Sequence, residues 1–138
     1  MLTGSPPSTR RTSVCCALQR ANWSAAEAKL RGEEVDPAVY ARAAAGLRDQ
    51  PGGAEIDNVV LACTHFPLLL SELTAAFGPG VRFVDGADGI ARRIAFLTQG
   101  QTFARSSEDF ALFTRDDSAN AALSPALAAR GLIRSATL

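Results

Sequence analysis

The chain contains one histidine and three cysteines among 138 residues, and this scarcity limits the metal sites that it can form. The cysteines form no Cys-x-x-Cys pair and do not have the spacing of zinc ligands. We therefore expect no metal site. Cys15 and Cys16 are adjacent in a stretch with no clear pattern, and we interpret both as incidental.

The sequence also lacks a charge excess and a long apolar run. Lysine and arginine together number 14, as do aspartate and glutamate. No apolar stretch approaches the roughly 20 residues that span a bilayer. The residues after Met1 show no apolar segment of a signal peptide. These absences predict a cytoplasmic protein with reduced thiols that binds neither nucleic acid nor membranes.

What is present is the composition of one small globular domain, with 47% hydrophobic residues. Strand and helix patterns alternate, which predicts an α/β fold with a parallel sheet. Ser24 and Glu27 have the spacing of a capping box. Residues 1–22 begin with turn and linker residues, and we expect this segment to be disordered or aberrant. The predicted strands are residues 59–62, 81–84 and 110–114, and the predicted helices are 24–31, 37–50, 67–77, 90–97 and 120–130.

The most informative stretch lies where the first of these strands meets a helix. Cys63, Thr64 and His65 follow the strand, and Pro67 suits the first turn of the helix. The carboxyl edge of a parallel sheet is where α/β proteins bind ligands. Free backbone N–H groups and the positive end of the helix dipole would favour a thiolate on Cys63 and hold a substrate carboxylate.

Each of these residues also has a simpler interpretation. Cys63 alone would suit a small core position, and His65 would suit a loop without a task. Thr64 would suit a helix cap. Asp85 precedes a glycine in a predicted turn, which favours a turn role. Residues 92–93 are both arginine and fit a solvated helix face.

The segment Val59-Val-Leu-Ala-Cys-Thr-His-Phe-Pro-Leu-Leu69 resembles the second cysteine signature of glutamate racemases, in the aspartate/glutamate racemase superfamily. Weaker matches flank this segment. They are Glu27-Ala-Lys-Leu-Arg-Gly-Glu33 with Val35-Asp36 upstream, and Val84-Asp85-Gly86 with Gly89-Ile-Ala-Arg92 downstream. The similarity implies an incomplete parallel-sheet racemase fold, the C-terminal half of a two-domain pseudo-symmetric α/β enzyme.

This resemblance implies a reaction and roles for three residues. Family members interconvert L- and D-glutamate without a cofactor, using one cysteine on each side of the substrate. The product D-glutamate serves peptidoglycan synthesis. By this similarity Cys63 is the catalytic cysteine of the second domain, His65 assists it, and Thr64 helps to bind substrate.

The chain departs from the family pattern at its N-terminal end. It has no Asp-Ser motif and no cysteine in a Cys-Asn-Thr setting. We therefore expect residues 23–138 to be racemase-like but impaired, and residues 86–138 to be built to pack on a missing first domain. Phe110, Leu112 and Phe113 would then be exposed, which favours oligomers or pairing with a separate N-terminal half. The alternatives are a non-catalytic α/β remnant, a half-enzyme partner module, or a related aspartate or amino-acid racemase.

Overall fold

A computed structural model of the chain describes residues 11–14, 19–104 and 106–138. The helices and strands of these residues follow each other in the order β1 (Arg11–Val14), α1 (Gln19–Leu30), α2 (Ala38–Arg48), β2 (Ile56–Val60), α3 (Leu70–Phe77), β3 (Arg82–Val84), α4 (Ala87–Leu97), β4 (Phe110–Phe113), α5 (Ser118–Ala122), α6 (Ser124–Ala128) and β5 (Arg134–Thr137).

The first three strands form one parallel sheet in the order β1-β2-β3. Val60 pairs with Val14 on one side and with Val84 on the other. Because parallel strands end at the same edge, the residues that follow β2 and β3 are brought together there. Strands β4 and β5 form a second, two-stranded parallel sheet, and β5 was not predicted from the sequence.

The buried core lies entirely within residues 25–77 of the described chain. Helices α1, α2 and α3 and strand β2 supply it, together with the segment that joins β2 to α3. Its largest fully buried side chains are Phe66, Leu69 and Val59. Among the described residues after Phe77, none is buried. The predicted α/β class with a parallel sheet is therefore confirmed. The buried hydrophobic residues of the described ranges, however, all come from residues 25–77.

The N-terminal region differs from the sequence prediction. β1 lies within residues 1–22, which were expected to be disordered, and α1 begins at Gln19 rather than at Ser24. The capping-box prediction for Ser24 is therefore wrong. Strand β1 forms because it pairs with β2 along its length, a tertiary contact that local composition does not reveal. Cys15 and Cys16 lie outside the described residues.

Two predicted helices also have different ends. The segment after His65 begins as a 3₁₀ turn at Phe66–Leu69, and the α-helix starts only at Leu70. Such turns are common at helix N-termini. The predicted helix over residues 120–130 is instead the pair α5 and α6. Asp117 accepts a hydrogen bond from the Ala119 N–H at 2.9 Å, which fixes the earlier start.

We expect Gly53→Ala to destabilise the chain by about 3 kcal/mol, because there is no space for a side chain at this position. A Cβ atom there would lie 2.3 Å from the Arg48 carbonyl oxygen and 2.4 Å from that of Leu47, both backbone atoms. Urea unfolding followed by circular dichroism measures the change. The control is Gly89→Ala in α4, where a Cβ meets nothing within 4 Å. It should stabilise by about 0.5–1 kcal/mol. Equal stabilities for the two variants would contradict the packing argument.

Within the described ranges, no helix is long and apolar enough to cross a membrane. The same residues contain no group of three or more histidine, cysteine, aspartate or glutamate side chains that could hold a metal ion.

Candidate active site

A cavity of about 450 Å³ opens at the edge of the sheet where β2 and β3 end. Cys63 and Thr64 line it from the β2 side, and Asp85 and Ile90 line it from the β3–α4 side. Its volume lies in the range of sites for small ligands. The structure therefore brings Cys63 and Thr64 together with Asp85, whereas His65 contacts Cys63 but does not line the cavity.

The loop that carries Cys63 is held at both ends by buried residues. The Leu61 N–H donates to the Val84 carbonyl at 2.8 Å, which extends the pairing of β2 with β3. Phe66 is 1% exposed and anchors the other end. Between these anchors Cys63 is half-buried and Thr64 is exposed. The sulfur of Cys63 is thus accessible from the cavity, while the backbone on both sides of Cys63 is anchored to the core.

Asp85 has the turn role that the sequence favours, and it also faces the cavity. Its Oδ1 accepts a hydrogen bond from the Ala87 N–H at 2.8 Å, at the start of α4. A carboxylate in this position satisfies one of the free amides at the helix start.

The expectation of free backbone donors after His65 is wrong for the residues that follow it. The Phe66 N–H donates to the Cys63 carbonyl at 3.2 Å, and the Leu68 N–H donates to the His65 carbonyl at 3.1 Å. Pro67 has no N–H. Because the first turn is 3₁₀, its amides are used within the turn and do not form the carboxylate site that the sequence suggested.

His65 lies between Cys63 and a residue that the sequence analysis did not select. The Cys63 Sγ is 3.6 Å from the His65 Nδ1. On the other side of the ring, the Trp23 Nε1 donates a hydrogen bond to the His65 Nε2 at 2.9 Å. The two rings also meet edge to face, with centroids 5.6 Å apart. Trp23 is 42 positions from His65 in the sequence, and only the packing of α1 on the 3₁₀ turn brings them together.

The contact with Trp23 determines which imidazole nitrogen carries the proton. An indole N–H only donates, so the Nε2 of His65 must accept and the proton of the neutral ring is on Nδ1. The Nδ1–H then points to the sulfur of Cys63. In this arrangement the Nδ1–H of His65 can donate a hydrogen bond to the Cys63 sulfur.

Trp23→Phe should change the tautomer of His65, because phenylalanine keeps an aromatic ring but has no N–H. Imidazole ¹⁵N NMR gives a direct readout, since His65 is the one histidine of the chain. We expect the Nδ1–H form in the unmodified chain and a mixture of both forms in Trp23→Phe. Trp23 is 49% exposed, so its replacement should leave the fold intact. An identical tautomer in both proteins would contradict the assignment.

Known proteins resemble this chain in sequence and in fold. No family model matches the chain. It is 67% identical over 93 residues to a glutamate racemase of Sphingopyxis alaskensis, which covers 67% of the chain and 35% of that relative. It is 39% identical over 108 residues to a glutamate racemase of Proteus mirabilis, covering 75% of the chain and 36% of the relative.

A solved structure is also similar. The crystal structure of Escherichia coli glutamate racemase, in complex with L-glutamate and the activator UDP-MurNAc-Ala, matches 83% of this chain and 43% of that protein. The TM-score is 0.74 and the sequence identity is 33%.

These matches define an α/β chain with part of the racemase fold, as its parallel sheet and edge cavity already indicated. Within that class, the chain is related to glutamate racemases, and the resemblance lies in its C-terminal portion. The family predicted from the sequence is therefore confirmed. The chain spans about a third of the length of the curated relatives that it matches.

Proposed function

We propose that this chain supplies one half of a glutamate racemase proton-transfer site, with Cys63 as the acid/base group at the α-carbon. The proposal rests on one observation above all. In a chain related to glutamate racemases, a half-buried sulfur lines a cavity at the carboxyl edge of the sheet and has the His65 Nδ1 at 3.6 Å. Thiolate chemistry needs an accessible sulfur and a partner that stabilises its charge.

The neighbouring residues receive roles by the same reasoning. His65 holds the thiolate through its Nδ1–H, and Trp23 holds His65 in that tautomer. Thr64 is exposed on the cavity and offers a hydroxyl to a substrate. No cofactor takes part, since the thiol itself exchanges the proton. A working thiol must stay reduced, so the proposal includes a cytoplasmic location.

Racemisation requires a second acid/base group on the opposite face of the substrate. Cys63 is the one cysteine among the described residues, so they contain no second thiol. The sequence also has no Cys-Asn-Thr motif. We therefore propose that the chain by itself exchanges the α-proton on one face without inverting the substrate. Joined to the missing half, it would make D-glutamate for peptidoglycan, and hence for cell wall formation and cell shape.

Residues 86–138 are proposed to pack against that missing half. Helix α4 has no buried residue, and Ile90, Ile94 and Leu97 lie exposed along it. Phe110 and Leu112 are exposed as expected, whereas Phe113 is partly buried because alternate residues of β4 face opposite sides.

This surface leads us to expect self-association of the isolated chain. Sedimentation velocity should show oligomers at micromolar concentration, and Ile94→Glu should shift the population toward monomer. Ala91→Glu on the same exposed helix is the matched control and should have a smaller effect, because it replaces no large apolar side chain. A monodisperse monomer for the unmodified chain would contradict the expectation.

The proposed function is tested by incubating the purified chain with L- and D-glutamate in deuterated water. Proton NMR and chiral chromatography then report exchange and inversion separately. We expect slow exchange of one enantiomer that keeps its configuration. Inversion would show that the second acid/base group is present after all. Absence of exchange for both enantiomers would favour the non-catalytic alternative, and exchange of aspartate in preference to glutamate would favour a related racemase.

A further inference from the structure

A second and larger cavity, of about 730 Å³, lies between helices α1, α2 and α3, away from the edge where β2 and β3 end. The end of α1, the segment joining α1 to α2, the start of α2, and α3 form its walls. It shares no lining residue with the candidate active site. Its volume is within the range of small-molecule sites, and its walls are largely apolar, with Val35, Pro37 and Ala76 among them.

Tyr40 gives this cavity a polar group without a partner. The residue is 5% exposed and lines the cavity. Among the described residues its hydroxyl has no hydrogen-bond partner. The hydroxyl oxygen keeps some contact with solvent, which shows that it reaches the cavity. Buried tyrosine hydroxyls usually have a partner. The hydroxyl is thus free to bond a molecule in the cavity.

The charges around the cavity decide which molecule it would accept. Lys29 is on the wall, but its three N–H donors are all engaged, with the Leu68 carbonyl at 2.9 Å, the Ser71 hydroxyl at 3.4 Å and the Glu72 carboxylate at 2.6 Å. It has no donor left for an anion.

One carboxylate at the cavity has no cation beside it. Glu33, Glu34 and Glu72 all line the cavity, but Glu72 is paired with Lys29 at 2.6 Å and Glu33 with Arg31 at 3.9 Å. Among the described residues, Glu34 is in no ion pair. Burial alone would raise the pKa of Glu72, but the hydrogen bonds from Lys29 and Ser71 outweigh it and lower the pKa, so this group is ionised at neutral pH. Burial, followed by the nearby charge of Glu72, raises the pKa of Tyr40, so its hydroxyl stays neutral and its oxygen can accept a hydrogen bond.

We propose that this cavity binds a small organic cation, an amine with an apolar or aromatic body. The apolar part would lie against Ala75 and Ala76, and the ammonium group would donate hydrogen bonds to the Glu34 carboxylate and to the oxygen of the Tyr40 hydroxyl. The site does not depend on proton transfer at Cys63, so its failure and the failure of the proposed function are separate results.

The test uses three probes of nearly equal size on the full chain: phenethylamine as the cation, 3-phenylpropanoate as the anion and 2-phenylethanol as the neutral form. Tyr40 is the one tyrosine, so ¹³C labelling of tyrosine rings gives a single reporter. We expect a saturable shift with phenethylamine at a Kd of ~1–10 mM. The neutral probe should bind more weakly, and the anion at least about tenfold more weakly.

Variants locate the interaction. Tyr40→Phe and Glu34→Gln should each weaken phenethylamine binding about two- to tenfold, followed through backbone amides near Ala76. Glu108→Gln, the same substitution away from the cavity, should leave binding unchanged. The amide spectrum of each variant shows that it is folded. Equal binding of the anion, no saturable shift, or an unaffected Tyr40→Phe would each overturn the proposal.

Discussion

Cys63→Ala is expected to lower the rate of α-proton exchange from glutamate by about 10²–10⁴-fold, since it removes the proposed acid/base group. The sulfur lines the cavity at the sheet edge and has no other thiol beside it among the described residues. Alanine is small and uncharged, so the half-buried position should tolerate it. Deuterium incorporation at the α-carbon, measured by NMR at a fixed concentration of glutamate, gives the rate directly.

Three further variants separate catalysis from folding. His65→Ala should slow exchange by about ten- to a hundredfold, because the thiolate loses a hydrogen bond but the sulfur stays. Thr64→Ala should mainly raise the glutamate concentration at half-maximal rate. Cys15→Ala with Cys16→Ala is the matched thiol control and should leave the rate unchanged. If the Cys63→Ala variant exchanged the α-proton as fast as the unmodified chain, the proposed role of the Cys63 sulfur would be wrong.

Phe66→Ala is expected to destabilise the chain by about 3–5 kcal/mol, the largest stability effect that we foresee. The ring is 1% exposed, and it anchors the loop of Cys63 to the core. Small domains are stable by roughly 5–15 kcal/mol, so most of the margin would be lost. Urea denaturation followed by circular dichroism measures the loss as a lower midpoint.

The matched control for this variant is Phe96→Ala. Phe96 is 63% exposed on α4, where Arg93 stacks over its ring. Removing it should change stability by no more than about 0.5 kcal/mol and should reduce self-association. A similar loss of stability in both variants would mean that another surface covers Phe96 in solution, which would contradict the exposure of α4.

The sequence predicted where Cys63 lies in the fold but not the hydrogen bonds around it. The strand-to-turn pattern that ends at Cys63 is local, so its position at the edge of a parallel sheet was predictable. The loss of free amides was not, because a 3₁₀ turn and an α-helix have the same apolar spacing over four residues. Asp85 was predicted as a turn residue at the end of its strand, and the pairing of β2 with β3 places it at the cavity of Cys63.

The edges of the fold were less predictable than its centre. Strands β1 and β5 are short and have no strong alternation, and each exists through its pairing with another strand. Helix α4 was predicted from the spacing of Ile90, Ile94 and Leu97. That spacing normally indicates burial, and here the side chains are exposed because no other described element covers them.

By itself the sequence determined the α/β class, the relation to glutamate racemases and the residues at the strand-to-helix turn, because each of these depends on residues that are close together in the sequence. Tertiary structure alone decided that Trp23 and Cys63 contact opposite nitrogens of the His65 ring, and that Tyr40 lines a separate cavity. Both depend on helices packing side by side. The groups that meet there are far apart along the chain, and no local pattern records which of them will touch.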